Sequence, residues 1–153
     1  MKKKIKRKTK FNNKNSTHRN RKYKSKLEAE CSKQLTENNI PFSYESQTFV
    51  ILEGSKYWGE VYELYGRGKH RKFRKVPNPK ISKVTYTPDF TGFSPYINKY
   101  FIIETKGVAT SSFNIKWKLF KKYLNKSGAK EFPLLFMPRN KKDIEEVIKV
   151  LKP

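Results

Sequence analysis

The fold is decided by residues 84–106, which read VTYTPDFTGFSPYINKYFIIETK. β-Branched and aromatic residues fill both ends of this stretch, and turn-forming residues lie between Gly92 and Asn98. The sequence therefore predicts two β-strands joined by a turn. Each strand carries one carboxylate, since Asp89 lies in the first strand and Glu104 ends the apolar run of the second.

The two carboxylates are expected to lie close together. If the two strands form a hairpin, Asp89 and Glu104 meet at the same end of the sheet. An unpaired carboxylate next to the apolar run would cost several kcal/mol to bury, so Glu104 needs a partner. Lys106 lies two residues beyond Glu104, and the alternation of side chains along a strand places both on one face. An ion pair on an edge strand is the alternative for Glu104 and Lys106.

Two carboxylates and a backbone carbonyl are the oxygen ligands that a hard divalent cation such as Mg²⁺ prefers. We expect Asp89 and Glu104 to bind the metal, with the carbonyl of Thr105 as a further ligand. Lys106 can orient a metal-bound water and stabilise charge that develops on a phosphate. Glu28, on the first predicted helix, can approach the cluster and help to hold a second metal, although capping that helix is its alternative role. The expected reaction is metal-assisted hydrolysis of a phosphodiester.

The charge of the chain indicates a polyanionic partner. Its 153 residues include 36 Lys and Arg against 13 Asp and Glu, which gives a formal net charge of +23. Such a charge opposes folding unless a polyanion neutralises it, and nucleic acid is the leading candidate. Thirteen basic residues and no acidic residue lie within residues 1–26. We therefore predict a flexible basic arm over residues 1–23, with a solubility tail or localisation signal as the alternative.

Two further basic clusters are candidate DNA contacts. One lies in a long connection at about residues 54–83, and long connections are often functional. The other lies on a predicted helix, for which an ordinary solvated face is the alternative. The residues that we expect to contact DNA are Lys22, Lys24, Lys26, Lys69, Arg71, Lys72, Arg74, Lys75, Lys116, Lys118, Lys121 and Lys122.

The composition excludes several classes of protein. The single cysteine, Cys31, rules out an internal disulfide framework and fits a reducing compartment such as the cytoplasm. No run of apolar residues is long enough to span a membrane, and no apolar segment follows the basic N-terminus as it would in a secretory signal. The aromatic fraction of 14% is typical of a folded domain rather than a disordered chain.

Hydrophobic periodicity predicts one mixed α/β domain over residues 24–153. Helices are predicted over residues 25–38, 113–125 and 141–151. Strands are predicted over residues 42–45, 49–52, 84–90, 100–106 and 132–137. The order is helix, strand, strand, insert, two strands, helix, strand and helix, with the insert at about 54–83.

Short motifs along the chain resemble a known nuclease family. Pro88-Asp89 followed by Glu104-Thr105-Lys106 matches the PD-(D/E)XK nuclease signature. Further matches, in the same order, are SKLE at 25–28, SKQL at 32–35, FSYE at 42–45, YTPDF at 86–90 and FIIETKG at 101–107. Together they resemble phage endonuclease I, the junction-resolving and debranching deoxyribonuclease of T-odd coliphages, over roughly residues 23–139.

The resemblance implies a restriction-endonuclease-like fold, in which a PD-(D/E)XK core has a mixed central sheet flanked by helices. It implies that Glu28 matches the helix-borne catalytic glutamate, Asp89 the metal-bridging aspartate, Glu104 the second metal ligand and Lys106 the active-site lysine. It also implies Mg²⁺ as cofactor, with Mn²⁺ as a substitute. The implied enzyme is an intertwined homodimer that acts on four-way (Holliday) junctions and other branched DNA in the cytoplasm of the host cell.

The long connection at 54–83 is a departure from this family. In the family a shorter connection contributes to the exchange between subunits, so the form of the dimer stays open. Two other functions also stay open. One is a sequence-specific homing or restriction-like endonuclease, and the other is a non-catalytic DNA-binding protein with a degenerate fold.

Overall fold

The computed structural model describes residues 16–18 and 21–153, which form a mixed α/β structure. The helices are α1 (Lys26–Glu37), α2 (Ser111–Lys126) and α3 (Lys141–Leu151). The strands are β1 (Ser16–His18), β2 (Arg21–Tyr23), β3 (Phe42–Tyr44), β4 (Phe49–Leu52), β5 (Ser55–Lys56), β6 (Tyr62–Tyr65), β7 (Lys72–Lys75), β8 (Lys80–Ile81), β9 (Val84–Tyr86), β10 (Phe90–Ser94), β11 (Lys99–Ile103) and β12 (Leu134–Phe136).

The described residues group into two compact units, where the sequence predicted a single domain with an insert. The first unit contains residues 16–18, 21–46, 88–109 and 131–153, and the second contains residues 47–87 and 110–130. No helix in either described unit has the length and apolar composition to cross a membrane.

A four-stranded sheet organises the first unit, in the order β12-β11-β10-β3. β11 runs parallel to β12, whereas β10 is antiparallel to both β11 and β3, so the sheet is mixed as predicted. Its core is formed by residues of α1, α3 and the sheet, among them Leu35, Phe90, Ile103 and Ile144, which are fully buried. The predicted helices α1 and α3 are confirmed, because their apolar residues recur at helical spacing and pack into this core.

The hairpin predicted within residues 84–106 is confirmed as β10 and β11, which pair Phe90 with Ile103. The first strand of the hairpin is displaced from the predicted residues 84–90, because Pro88 has no N–H to donate and separates β9 from β10. β10 includes Gly92, which the sequence placed in the turn, and the turn is confined to residues 95–98. The second strand ends at Ile103 rather than at Lys106. Pairing with the β12 segment nevertheless continues past Ile103. The N–H of Glu104 donates to the carbonyl oxygen of Phe136, and that of Lys106 donates to the carbonyl oxygen of Pro138, at 3.0 Å each.

The N-terminal residues that the structure describes differ from the prediction of a flexible arm. β1 and β2 form an antiparallel hairpin, and Tyr23 is 3% exposed in the core of the first unit. The Tyr23 hydroxyl lies 2.6 Å from Oγ of Ser32 on α1. His18 Nδ1 also lies 3.3 Å from Oγ of Ser32, so both strands of the hairpin contact α1. The rest of the predicted arm lies outside the described residues.

The second unit contains a long antiparallel ribbon where the sequence predicted a loop at 54–83. β4 pairs with β9, β5 with β8 and β6 with β7, so the two halves of residues 49–86 run side by side. At the base, the rings of Phe49 and Tyr86 lie 5.0 and 4.5 Å from that of Phe120 on α2. At the tip, Gly66 has φ +99°, and a Cβ there would lie 2.5 Å from the carbonyl oxygen of His70, so glycine is required.

The second predicted helix, α2, is longer than residues 113–125. It begins at Ser111 because the hydroxyl of Thr110 accepts the N–H of Phe113 at 3.2 Å and caps it. Phe113 and Phe120 are its buried residues, whereas its lysines are exposed. The predicted split between an apolar side and a basic side of this helix is therefore confirmed.

Candidate active site

The two predicted metal-binding carboxylates lie at the same end of the β10–β11 hairpin. Asp89 directly precedes β10 and Glu104 directly follows β11, and the register of the hairpin pairs their neighbours. Oδ2 of Asp89 accepts two hydrogen bonds of 2.7 Å, one from the backbone N–H and one from the hydroxyl of Thr105. The segment that follows β11 is thereby tied to the residue that precedes β10.

The electrostatics of this pair favour a cation. The pKa of Asp89 is raised from 3.8 to about 7, chiefly by burial and next by the negative charge of Glu104. Glu28 raises it further, and the two hydrogen bonds from Thr105 oppose the rise without offsetting it. Asp89 therefore resists ionisation, and a cation bound beside it would favour its charged form.

Lys106 accompanies Glu104 as the alternation of the strand predicted. Its Nζ lies 3.5 Å from Oε1 of Glu104, whose side chain is 6% exposed. β11 lies between β10 and β12 in the sheet, so Glu104 does not follow an edge strand. The alternative of an exposed ion pair on an edge strand is therefore wrong.

Glu28 caps its own helix and also belongs to the electrostatic environment of Asp89. Ser25 Oγ accepts the N–H of Glu28 at 3.2 Å and donates to its Oε1 at 2.8 Å, which is a reciprocal capping arrangement. Oε2 of Glu28 accepts from the N–H of Lys24 at 2.9 Å and from the Tyr44 hydroxyl at 2.5 Å. The capping role is thus established, and it holds the carboxylate in one position.

Two residues next to the site had no assigned role in the sequence. Tyr44 binds Glu28, and burial followed by this hydrogen bond raises the pKa of its hydroxyl well above the usual value, so it stays a donor. Glu45 forms an ion pair with Lys24 and donates its N–H to the Asp89 carbonyl oxygen at 2.8 Å, with φ +45°. In the sequence, the FSYE motif at 42–45 is the only feature that singles out Tyr44 and Glu45.

The acidic residues do not all converge on one point. Within residues 16–18 and 21–153, no three His, Cys, Asp or Glu side chains are grouped closely enough to hold a metal ion. The oxygen atoms that could bind a metal at the end of the hairpin belong to Asp89, Glu104 and Thr105. The Glu28 carboxylate instead accepts three hydrogen bonds. Two carboxylates fit Mg²⁺, because it usually takes one or two carboxylates and keeps several waters.

The twelve predicted DNA-binding residues are all exposed. Lys22, Lys24 and Lys26 lie at or near the start of α1, four others lie on α2, and the remaining five lie in or beside β7. Two of them already have acidic partners, since Lys24 pairs with Glu45 and Lys75 pairs with Glu60. Both pairs are exposed, where an ion pair is worth only about 0–1 kcal/mol, so a phosphate can replace the carboxylate.

No protein-family model, curated protein or solved structure matches this chain. The class of the site therefore depends on its own chemistry, which is a buried glutamate and a partly buried aspartate with an adjacent lysine in a strongly basic protein.

Proposed function

We propose that the protein is a metal-dependent endodeoxyribonuclease of the PD-(D/E)XK type that hydrolyses phosphodiesters in branched DNA. The observation that carries the proposal is the position of Asp89 and Glu104, which repel each other at the end of one hairpin with Lys106 beside them. The mixed sheet and the order of helices and strands are compatible with the core that the resemblance implies.

Asp89 and Glu104 would hold Mg²⁺, or Mn²⁺ as a substitute, with the carbonyl of Thr105 as a further oxygen ligand. When bound, the ion supplies a Lewis acid and lowers the pKa of a coordinated water. Thr105 orients Asp89 through Oδ2, and Lys106 positions the attacking water and stabilises charge on the phosphate. Glu28 adds negative charge to the site and supports the metal or the water from its fixed position.

The basic surface would bind the DNA. The exposed lysines and arginines contact phosphates without reading sequence, and their affinity falls with salt because counterions are released on binding. Junction resolution requires nicks on two opposed strands, which a homodimer with two active sites would supply. We therefore propose a Holliday-junction resolvase that acts as a homodimer.

The test is a cleavage assay on a four-way junction and on a linear duplex of the same sequence, with Mg²⁺ or with EDTA. We expect paired, symmetric nicks in the junction with Mg²⁺ only. Asp89→Asn should abolish nicking, because an amide is a poor metal ligand, yet it can still accept the Thr105 hydrogen bonds. Glu146→Gln, an exposed acid of α3, is the matched control and should cleave normally. Equal cutting of both substrates at one preferred sequence would replace the resolvase by a sequence-specific endonuclease.

A non-catalytic DNA-binding protein is the second candidate. The observation in its favour is that the Glu28 carboxylate already accepts hydrogen bonds from Ser25, Lys24 and Tyr44, which gives it a structural role without a metal. This candidate predicts junction binding that is the same in Asp89→Asn and in the unmodified protein, with no nicking under any divalent metal.

A further inference from the structure

The outer part of the ribbon, β6 and β7 with the turn between them, has two different faces. Residues directly opposed in an antiparallel pair share a face, and successive residues alternate. Leu64 pairs with Phe73, and the next pair on the same face is Tyr62 with Lys75. We call this the apolar face. The opposite face carries Glu63 with Arg74 and Tyr65 with Lys72.

The apolar face and the neighbouring aromatic residues are exposed to an unusual degree. Phe73 is 67% exposed, Leu64 55% and Tyr62 54%, and Trp58 between β5 and β6 is 88% exposed. Every residue of β6 and β7 is exposed. A two-stranded ribbon is at best marginally stable in water, and contiguous exposed apolar surface marks a binding site. The ribbon is therefore expected to bind a ligand.

The charge of the ribbon selects the kind of ligand. Residues 64–75 contain six Lys or Arg residues and no Asp or Glu. Two copies of such a segment would repel each other on contact, in a chain whose formal net charge is +23. The same charge attracts a polyanion. A nucleic acid is thus favoured over a second copy of this chain.

Two of the aromatic side chains of the ribbon, Trp58 and Tyr65, lie next to cations. Nζ of Lys56 is 5.2 Å from the ring centroid of Trp58, and Cζ of Arg74 is 5.7 Å from that of Tyr65. Exposed aromatic rings interleaved with cations bind single-stranded nucleic acid, because the rings stack on bases while the cations contact phosphates. Inside a duplex the faces of the bases are covered by their neighbours, so only unstacked bases can receive such rings.

We propose that the ribbon binds unstacked bases of DNA, with Phe73 and Trp58 as stacking residues and the basic turn at residues 66–71 on the adjacent phosphates. This inference takes DNA as the ligand from the proposed function, and it adds how branched DNA that carries unstacked bases would be distinguished from duplex. It does not require the active site, because the ribbon residues that carry it all lie within residues 56–75.

The test is binding of labelled DNA in EDTA by the Asp89→Asn protein, which separates binding from cleavage. A forked DNA with single-stranded arms is compared with a fully paired duplex of equal phosphate number. We expect Phe73→Ala and Trp58→Ala each to weaken binding to the fork about 5- to 30-fold, with little change for the duplex. Tyr100→Ala is the matched control, since Tyr100 is equally exposed (66%) but lies on β11, and it should bind both DNAs normally.

Two further variants separate stacking from other roles. Phe73→Leu keeps an apolar β-strand residue but removes the ring, so it should lose fork binding as Phe73→Ala does. Arg71→Gln should weaken binding to both DNAs and reduce the salt dependence by about one counterion. Circular dichroism verifies that each variant is folded, and sedimentation measures its oligomeric state.

The inference is overturned if Phe73→Leu and Trp58→Ala bind the fork as the parent does. It is also overturned if the variants dissociate a dimer and lose affinity for fork and duplex alike, which would make the apolar face an interface between copies. Selective fork binding by a protein that never nicks DNA would leave this inference intact and remove the proposed nuclease function.

Discussion

Asp89 and Thr105 are joined by two hydrogen bonds that end on the same oxygen. Both the N–H and the hydroxyl of Thr105 donate to Oδ2 of Asp89 at 2.7 Å. The two bonds connect the residue before β10 with the residue that separates Glu104 from Lys106. Neither bond uses Oδ1, so the carboxylate is oriented while one of its oxygens stays outside this pair of contacts.

The first prediction concerns these two hydrogen bonds from Thr105 to Asp89, which we call the clamp. Thr105→Val removes the hydroxyl bond but retains the N–H bond and the β-branched shape. We expect the apparent affinity for Mg²⁺ in the nicking assay to fall about 10- to 100-fold, because residues that orient metal ligands have effects of this size. Thr91→Val, which alters a threonine of β10, is the control. An unchanged Mg²⁺ requirement in Thr105→Val would show that Asp89 does not need the clamp.

The second prediction is a pH dependence of stability without metal. The pKa of Asp89 in the folded protein, about 7, exceeds its ordinary value of 3.8, so the folded protein holds a proton that the unfolded chain has lost. This contribution to stability is complete below about pH 4 and is lost as the pH rises through 7. In EDTA, the melting temperature should therefore fall more between pH 5 and pH 8 than it does in Asp89→Asn.

Mg²⁺ provides the complementary measurement for this prediction. At pH 8 it should raise the melting temperature of the unmodified protein, because it binds only the folded form. It should not raise that of Asp89→Asn. Parallel pH profiles for the two proteins, or equal responses to Mg²⁺, would contradict the prediction.

The third prediction separates the two roles of Glu28. Glu28→Gln can place its amide oxygen where Lys24 and Tyr44 donate and its amide nitrogen against Ser25 Oγ, so the helix cap survives. The melting temperature should change little. If Glu28 also acts in catalysis, nicking should fall about 100-fold or more. A variant with normal melting and normal nicking would restrict Glu28 to capping.

Much of the first unit was predictable because its signals are local. Ser25 and Glu28 mark the start of α1 by their spacing, and the apolar residues of α1 and α3 recur at helical intervals. The hairpin that brings Asp89 and Glu104 together follows from two β-rich segments and one turn. These features depend on residues that are near one another in the chain.

The ribbon and the surroundings of the site were not predictable for a physical reason. A strand is recognised by alternation between a buried and a solvated face, and both faces of β6 and β7 are exposed. Tyr23 is an isolated apolar residue in a basic run, so its burial could not be inferred. The bond from Tyr44 to Glu28 joins residues 16 positions apart, and only the tertiary fold reveals it.

The last prediction uses Glu104 to distinguish a functional site from a structural ion pair. The negative charge of Glu104 is the second-largest cause of the raised pKa of Asp89, so Glu104→Gln removes a repulsion. In EDTA at pH 8 the variant should melt about 2–4 °C higher than the unmodified protein, and it should not nick DNA. At pH 4 the gain should vanish, because Asp89 is then protonated and no longer repels Glu104. If Glu104 serves instead to pair with Lys106, whose Nζ is 3.5 Å away, the variant should be less stable at pH 8. Differential scanning fluorimetry at the two pH values, with nicking measured on the same preparations, shows whether the melting temperature rises or falls.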